Sequence, residues 1–287
     1  MKKIAIYQKK RAGASAWANK WIQSPDWLKG FGVCLAICGM LYLANMIWGE
    51  LDPGSIWGLG YGIAAAVFFV GALLYGMRRK AIRVNRFQRA WYYLQFHVYG
   101  GTLFLILVLM HINFNVPKGV FTWWLWALSI WIVFTGLLGS GLQKWIPTIL
   151  NSSLSTEVNF NRIPDLIASI KKRAEKLAAQ SGQKVEDLFH QSVADNLIAP
   201  QFRWMFFVDV AGTIRGDLKP FAHLGKYVDP ADKNQLDELE AIYKTKLEID
   251  AHYTLQKTLR TWLMLHIPVA IVLFVLIIIH VLTVVYY

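Results

Sequence analysis

His97 and His111 stand fourteen residues apart in WYYLQFHVYGGTLFLILVLMHINF, and His266 and His280 stand fourteen apart in TWLMLHIPVAIVLFVLIIIHVLTVVYY. Imidazole is a good ligand for iron, and a haem iron takes one axial nitrogen from each side. On an α-helix fourteen residues climb ~21 Å, and at ~100° per residue the second side chain returns to within ~40° of the first. Each pair therefore shares one helix face, with one imidazole towards each side of a bilayer. Two such helices facing each other would make two stacked bis-histidine sites. A single histidine in an apolar run could be a satisfied interhelical hydrogen bond. Four, in two pairs of identical spacing, point to a functional site, because ionisable groups in such surroundings are costly. The remaining three of the seven histidines, His190, His223 and His252, lie in a polar stretch and read as surface or packing residues.

Other metal chemistries fail on ligand type. Zinc and iron–sulfur sites draw on clustered cysteines or carboxylates. Cys34 and Cys38 are the only two cysteines; both fall inside an apolar run and are expected to be buried there. No C-x-x-C-H run is present, which excludes covalent c-type attachment. Two non-covalent b-type haems are the expectation, with His97, His111, His266 and His280 as axial ligands. Gly100 and Gly101 follow His97 by about a helical turn, and Gly136, Gly139 and Gly141 cluster further along. Glycine lets a backbone approach a flat cofactor, and close packing of helices through small residues predicts the same pattern. Arg89-Ala-Trp91 precedes His97, and Arg260-Thr-Trp262 precedes His266. Arg89 and Arg260 could pair with haem propionates, because a guanidinium matches a carboxylate. A generic interfacial anchor is the plainer use of the same step.

The elements that must carry these residues are long and apolar. With 55% hydrophobic residues, 17% charged and mean hydropathy +0.36, the chain is far more apolar than an average soluble domain. A helix needs ~20 apolar residues to cross a ~30 Å hydrocarbon core. Stretches near 31–49, 56–77, 91–113, 121–142 and 262–286 meet that length, and none carries a charge apart from histidine. Trp48, Trp57, Trp91, Trp123, Trp124, Trp145 and Trp262 fall near their ends, where aromatic rings prefer the interface. The expected fold is an all-α integral membrane protein: five transmembrane helices in a haem-binding bundle, with a mainly helical cytoplasmic insertion.

Lysine and arginine set the orientation. Residues 1–30 hold seven of them against Asp26 alone, and RRKAIRVNRFQR holds six with no acid. The loops around GELDPGS and NFNVPKG offer only Lys118 against Glu50 and Asp52. The positive-inside rule then places the N-terminus, the 78–90 loop and the long insertion in the cytoplasm and the C-terminus outside, as in a bacterial inner membrane. The formal charge of +12 reads as this asymmetry beside anionic headgroups, and nucleic acid is not an expected partner. No cleavable signal is expected, since no apolar core and A-x-A site follow the basic start. Trp17, Trp21 and Trp27 among lysines fit a segment along the inner interface, with a disordered tail as the alternative.

The chain thus divides into a basic N-terminal segment (1–30), four spans (31–142), the insertion (143–260) and a fifth span (261–287). Pro53-Gly54 marks the first hairpin turn. The insertion holds sixteen Lys/Arg against fifteen Asp/Glu, a balanced and solvated composition. Pro164 opens a helix expected to stop at Ser181-Gly182, and VEDLFHQSVADNL forms a second. QFRWMFFVDVAG suits a strand or a buried apolar patch equally. From Pro230 to Arg260 a polar helix is expected to run straight into the fifth span, with Leu236, Leu239, Tyr243 and Leu247 on one face.

On the strength of His97, His111, His266 and His280 the chain resembles the di-haem transmembrane cytochromes b. Two H-x13-H helices are similar to the cytochrome b core of quinol:cytochrome c oxidoreductases. Their position on spans three and five looks more like the membrane domain of ferric reductases and NADPH oxidases. The resemblance covers the haem core and not the insertion. In the reductase group the second spacing is often one residue shorter. That group also carries a C-terminal flavin and nicotinamide module, which has no counterpart up to Tyr287, so nicotinamide oxidation is not expected of this polypeptide.

These features imply an electron-transfer subunit of a larger complex, working between a quinone or cytoplasmic partner and a partner outside, with quinone as a further candidate ligand. Arg89, Tyr92, Tyr93 and Lys144 could meet a quinone headgroup at the inner interface. A stand-alone quinol-oxidising or ferric-reductase-like enzyme and a non-redox membrane anchor are the rival readings. No nucleophile, acid–base constellation or nucleotide loop is visible.

Overall fold

The computed structural model describes residues 25–49, 51–81, 87–153 and 158–286, without the side chains of 25, 76–81, 87–91 and 151–153. The basic start with Trp17 and Trp21, and the side chains of Arg89 and Trp91, lie outside the described residues. The helices run in the order α1 (Pro25–Trp48), α2 (Ile56–Ala81), α3 (Phe87–His111), α4 (Val120–Ser153), α5 (Ile163–Ala178), α6 (Gln183–Leu188), α7 (Val210–Asp217), α8 (Lys219–Leu224) and α9 (Lys233–Tyr286). No strand occurs among the described residues. Five helices, α1 to α4 and α9, are long and apolar enough to cross a membrane. A helix satisfies its own backbone polar groups, which is what an apolar solvent demands of a single segment.

The chain forms two compact units, Met1–Gly141 with Leu263–Tyr287, and Leu142–Trp262. In the first, α2 presents Tyr61, Ala65, Phe69 and Ala72 at spacings of four, four and three. Against them lie Leu103, Phe104, Leu107 and Met110 of α3, Ile132 and Val133 of α4, and Leu273 of α9. The rings of Phe69 and Phe104 are 4.9 Å apart at the centre of this core. α1 is peripheral. Most of its surface is exposed, and Cys34 is exposed and Cys38 half-buried, contrary to the burial expected of both. Phe31, Cys38 and Tyr42 pack on the edge of the core, and two polar contacts add to the hold on α1: Asn45 Nδ2 donates to Tyr61 Oη at 2.6 Å, and Tyr42 Oη to Asn113 Oδ1 at 2.5 Å.

Turn chemistry decides where the spans end. Ser55 caps α2, its Oγ accepting from Gly58 N at 3.0 Å, just after the Pro53-Gly54 turn. α3 stops at His111 because Asn113 and Phe114 take left-handed backbone angles, φ 51° and 54°. Phe114 N bonds back to Leu109 O at 2.8 Å, and its ring meets Tyr42 edge-on at 5.4 Å. α4 continues beyond the expected end of its span, through Pro147 to Ser153. Hydropathy marks where apolar side chains stop, and the backbone helix is free to run on.

In the second unit Leu236, Leu239, Tyr243 and Leu247 are all buried, as their spacing predicts. The long polar helix and the fifth span are one element, α9, 54 residues long. The second predicted helix of the insertion is a mixed one: α6, then a wide turn closed by Ala194 N to Phe189 O at 2.8 Å, then a 3-10 turn at Asp195–Leu197. QFRWMFFVDVAG is neither a strand nor a wholly buried patch. It forms a 3-10 turn over Trp204–Phe207, then the start of α7, which the Asp209 carboxylate caps by accepting from Gly212 N at 2.8 Å. Lys246 and Asp250 form a fully buried ion pair at 2.6 Å. Burial pushes the Lys246 ammonium below its ordinary range and the Asp250 carboxyl above its own, while each partner's charge works the other way.

Candidate functional site

Seven residues make almost two turns, so residues at that interval fall on one stripe of a helix. α3 carries His97, Phe104 and His111 on such a stripe, and the apolar end of α9 carries His266, Leu273 and His280. In the first unit these stripes face each other. The ring centres of His97 and His266 are 6.3 Å apart with planes at 71°, and those of His111 and His280 are 6.3 Å apart at 73°. The two helices therefore run parallel and in register, and the rings meet in the pairs expected when equal spacing is carried on two helices that run the same way. Between the two levels Phe104 and Leu273 belong to one buried cluster.

The far nitrogens of the rings are tied back. His97 Nδ1 lies 2.9 Å from Ala72 O, and His111 Nδ1 lies 2.7 Å from Gly58 O. A carbonyl only accepts, so both rings carry their proton on Nδ1 and keep the Nε2 lone pair free. His266 Nδ1 lies 3.0 Å from Thr135 Oγ1. The Thr135 hydroxyl hydrogen is directed to its own helix, with Trp131 O at 2.9 Å and Ile132 O at 3.1 Å, so towards His266 it accepts. The His266 proton is again on Nδ1. The ring of Phe121 stands 6.3 Å from that of His280, and the ring of Tyr75 stands 5.0 Å from that of His97.

These positions can be tested against a haem. A metal–imidazole bond of about 2.0 Å, with about 1.1 Å more to the ring centre, places two collinear axial rings about 6.2 Å apart. Both pairs match that span. Among the described residues no group of three or more His, Cys, Asp or Glu side chains could hold a metal ion. A four-ligand protein cage is thus not present there, whereas a macrocycle that brings its own equatorial nitrogens needs only two axial donors. The cleft beside the His97–His266 pair is lined by those two residues with Gly101, Gly136, Thr102 and Ala72 among others, and encloses about 60 Å³. That is room for a water or two, at roughly 30 Å³ each, so seating a macrocycle requires neighbouring side chains to move aside.

The glycines divide. Gly101 and Gly136 both line the cleft with His97 and His266; a Cβ on Gly101 would meet nothing within 4 Å, and one on Gly136 would sit 3.4 Å from His266 Cε1. Gly139 is buried. Gly100 faces elsewhere, against Phe68 and Phe96, and lines a second, apolar cleft of about 330 Å³ with Asp26, Trp27, Phe31 and Tyr99. Arg260 is engaged in the second unit, its guanidinium 4.0 Å from the Phe160 ring centre and donating to Asn161 Oδ1 at 3.1 Å.

Sequence reasoning missed Thr135, Tyr75 and Gly62. A Cβ on Gly62 would lie 3.0 Å from His111 Nδ1, so only glycine leaves that ring its place. The alternating run Gly58, Gly60, Gly62 at the start of α2 was the available signal. The two carbonyl partners, Ala72 O and Gly58 O, carry no side-chain signal at all.

No known protein family, characterised protein or solved structure matches the chain.

Proposed function

We propose that this chain is a membrane-embedded di-haem b-type cytochrome subunit that moves electrons across a bilayer, between a quinone or cytoplasmic partner and a partner outside. The observation that carries the reading is the paired geometry: two histidine pairs, each with ring centres 6.3 Å apart, on two helices in parallel register. When bound, two b haems would supply reversible one-electron carriers at two depths. The polypeptide's own part is to present His97 and His266 at one level and His111 and His280 ~21 Å away at the other. Ala72 O, Gly58 O and Thr135 Oγ1 hold three of the rings in one tautomer and orientation, the usual task of groups behind a metal ligand. The apolar core between the levels keeps water away from both.

A quinone as the partner is favoured by the second cleft. It is apolar, has the Asp26 carboxylate among its lining groups, and uses Phe96, Tyr99 and Gly100 of the helix that carries His97. Its volume of about 330 Å³ lies in the range of small-molecule sites. Donor and acceptor on the two sides place the chain within a multi-subunit complex in a bacterial inner membrane, with the basic loops inside.

The test is the purified protein's reduced-minus-oxidised spectrum with a pyridine haemochrome count. The expected result is a b-type spectrum and close to two extractable haems per chain. A count near zero, or pigment that acid–acetone leaves on the polypeptide, overturns the reading in favour of a non-redox anchor or a covalently held group.

A further inference from the structure

The second unit exposes a row of large apolar side chains that its own core does not require. Between Ile198 and Val208 the chain reads IAPQFRWMFFV, and its single charge, Arg203, is paired with Asp217. Phe206 is fully buried and plugs the turn into the core. The side chains around it point outward: Trp204 is 68% exposed and Val208 80%, with Ile198, Phe202 and Met205 each above half. A soluble surface rarely gathers so many exposed apolar groups without a partner.

The chain's connectivity limits what the partner is. The segment is strapped to the residues that precede the fifth span. Gln201 N donates to Asp250 Oδ1 at 3.0 Å, Arg203 N donates to Thr254 Oγ1 at 3.1 Å, and Lys257 Nζ sits 5.9 Å from the Phe202 ring centre. Lys257 comes six residues before Leu263, where the apolar part of α9 begins, a climb of ~9 Å. At its other end the segment is pinned to the residues that follow the fourth span: the Phe207 ring stacks on Trp145 at 5.9 Å and 17°. Trp145 lies four residues past Gly141, ~6 Å along the helix. The Trp145 end thus lies within about a headgroup layer's depth of the hydrocarbon. The straps at Lys257, Thr254 and Asp250 lie ~9, ~14 and ~20 Å back along α9, so the segment descends towards the membrane from Gln201 to Phe207. Tryptophan flanked by lysine is also the composition that settles at that boundary.

We infer that residues 198–208 form an interfacial anchor whose exposed side chains, Trp204, Met205 and Val208 foremost, insert into the headgroup–acyl boundary of the membrane that the five helices cross. The partner is lipid, in the leaflet on the insertion's side. This rests on the membrane reading of the helices and is independent of haem binding.

Site-directed spin labelling of the full chain in phosphatidylcholine–phosphatidylglycerol vesicles tests it. In a Cys34→Ser, Cys38→Ser background, single nitroxides are placed through Met205→Cys and Val208→Cys. Ile271→Cys, an exposed position in the fifth span, gives the lipid reference, and Lys176→Cys, an exposed position on α5, the water reference. Collision with oxygen against a water-soluble nickel chelate reads the depth. The expected result is an oxygen-to-nickel ratio at 205 and 208 several-fold above that at 176 and approaching that at 271. Ratios equal to 176 while 271 reads as lipid overturn the anchor and leave the membrane reading standing. Labels shielded from both quenchers and immobilised overturn it in favour of a protein partner or a second copy. A water-like ratio at 271 itself removes the membrane reading and the anchor together.

Discussion

The His97–His266 and His111–His280 pairs, inner and outer in the proposed orientation, have the same side chains, the same ring separation and nearly the same ring angle, yet different surroundings. At the inner pair both far nitrogens are hydrogen-bonded, His97 to Ala72 O and His266 to Thr135 Oγ1. At the outer pair His111 is bonded to Gly58 O, while His280 has the Phe121 ring beside it and, among the described residues, no hydrogen bond on its ring. Hydrogen bonding at Nδ1 fixes an imidazole's orientation and makes it a stronger donor to a metal. A stronger donor stabilises the oxidised iron. If both pairs hold haem as proposed, the groups behind them would set the two potentials apart, and the proposed inner haem should be the harder of the two to reduce.

Deleting a ligand gives the largest effect. His97→Ala or His266→Ala should abolish one spectral component and halve the haem count, and His111→Ala or His280→Ala should abolish the other. Low-temperature α-band spectra of the four variants check this. If His97 and His280 behaved as one group, the parallel register of α3 and α9 would be wrong.

Crowding one ring comes next and separates the sites without touching a ligand. Gly62→Val places a branched side chain where even a Cβ lies 3.0 Å from His111 Nδ1, so the outer component should be lost or strongly weakened. Gly136→Ala meets His266 Cε1 at 3.4 Å, close to ordinary contact, and should leave the inner component in place with a small band shift. Haem counts for the two variants measure the contrast.

Thr135→Val keeps the shape and removes the oxygen that accepts from His266. It should weaken inner haem retention by about 10–100-fold, the usual effect of losing a group behind a metal ligand, and raise the inner midpoint potential towards the outer one. A spectroscopic redox titration reads the shift, and an unchanged inner potential would remove the physical basis of the comparison.

The smallest effect belongs to a residue far from either ring. Asn45→Leu breaks the bond to Tyr61 Oη that ties α1 to α2. Polar pairs of this kind inside membranes contribute about 0.6 kcal/mol, rarely above about 1.7. Thermal unfolding in detergent should show a modest loss of stability, with both haem components retained.

Much of the frame was legible in the sequence because it depends on length and period alone. Five apolar runs became five helices of spanning length, and the equal fourteen-residue intervals, on two spans that run the same way, were enough to place four rings in two pairs. Leu236, Leu239, Tyr243 and Leu247 went into the core that their spacing implied. What sequence left open depends on partners from elsewhere in the chain. Ala72 O and Gly58 O are backbone atoms of α2, and nothing about alanine or glycine announces a histidine across the way. Thr135 resembles any helical threonine bonding back to its own turn until His266 comes within reach. For QFRWMFFVDVAG, β-branched and aromatic residues suggested a strand, but among the described residues no other segment offers an edge to pair with. Asp209 followed three residues later by Gly212 was the local sign of a helix start. Cys34 and Cys38 were expected to be buried because buried sites suit apolar residues, and in a peripheral span an exposed face suits them equally.

The layer of Phe104 and Leu273 has a consequence for the energised membrane itself. Histidine is the side chain best suited to relay protons near neutral pH, and four of them stacked through a bilayer would otherwise be the beginnings of a leak. Phe104 is 2% exposed and Leu273 0%, and neither offers a hydrogen-bonding side chain to a water. A relay of waters needs polar partners at each step, and here it is interrupted midway between the histidine levels. In the proposed two-haem reading, electrons tunnelling between the levels would leave the proton gradient standing, and the direction of their travel would set whether each one raises or lowers the voltage across the membrane.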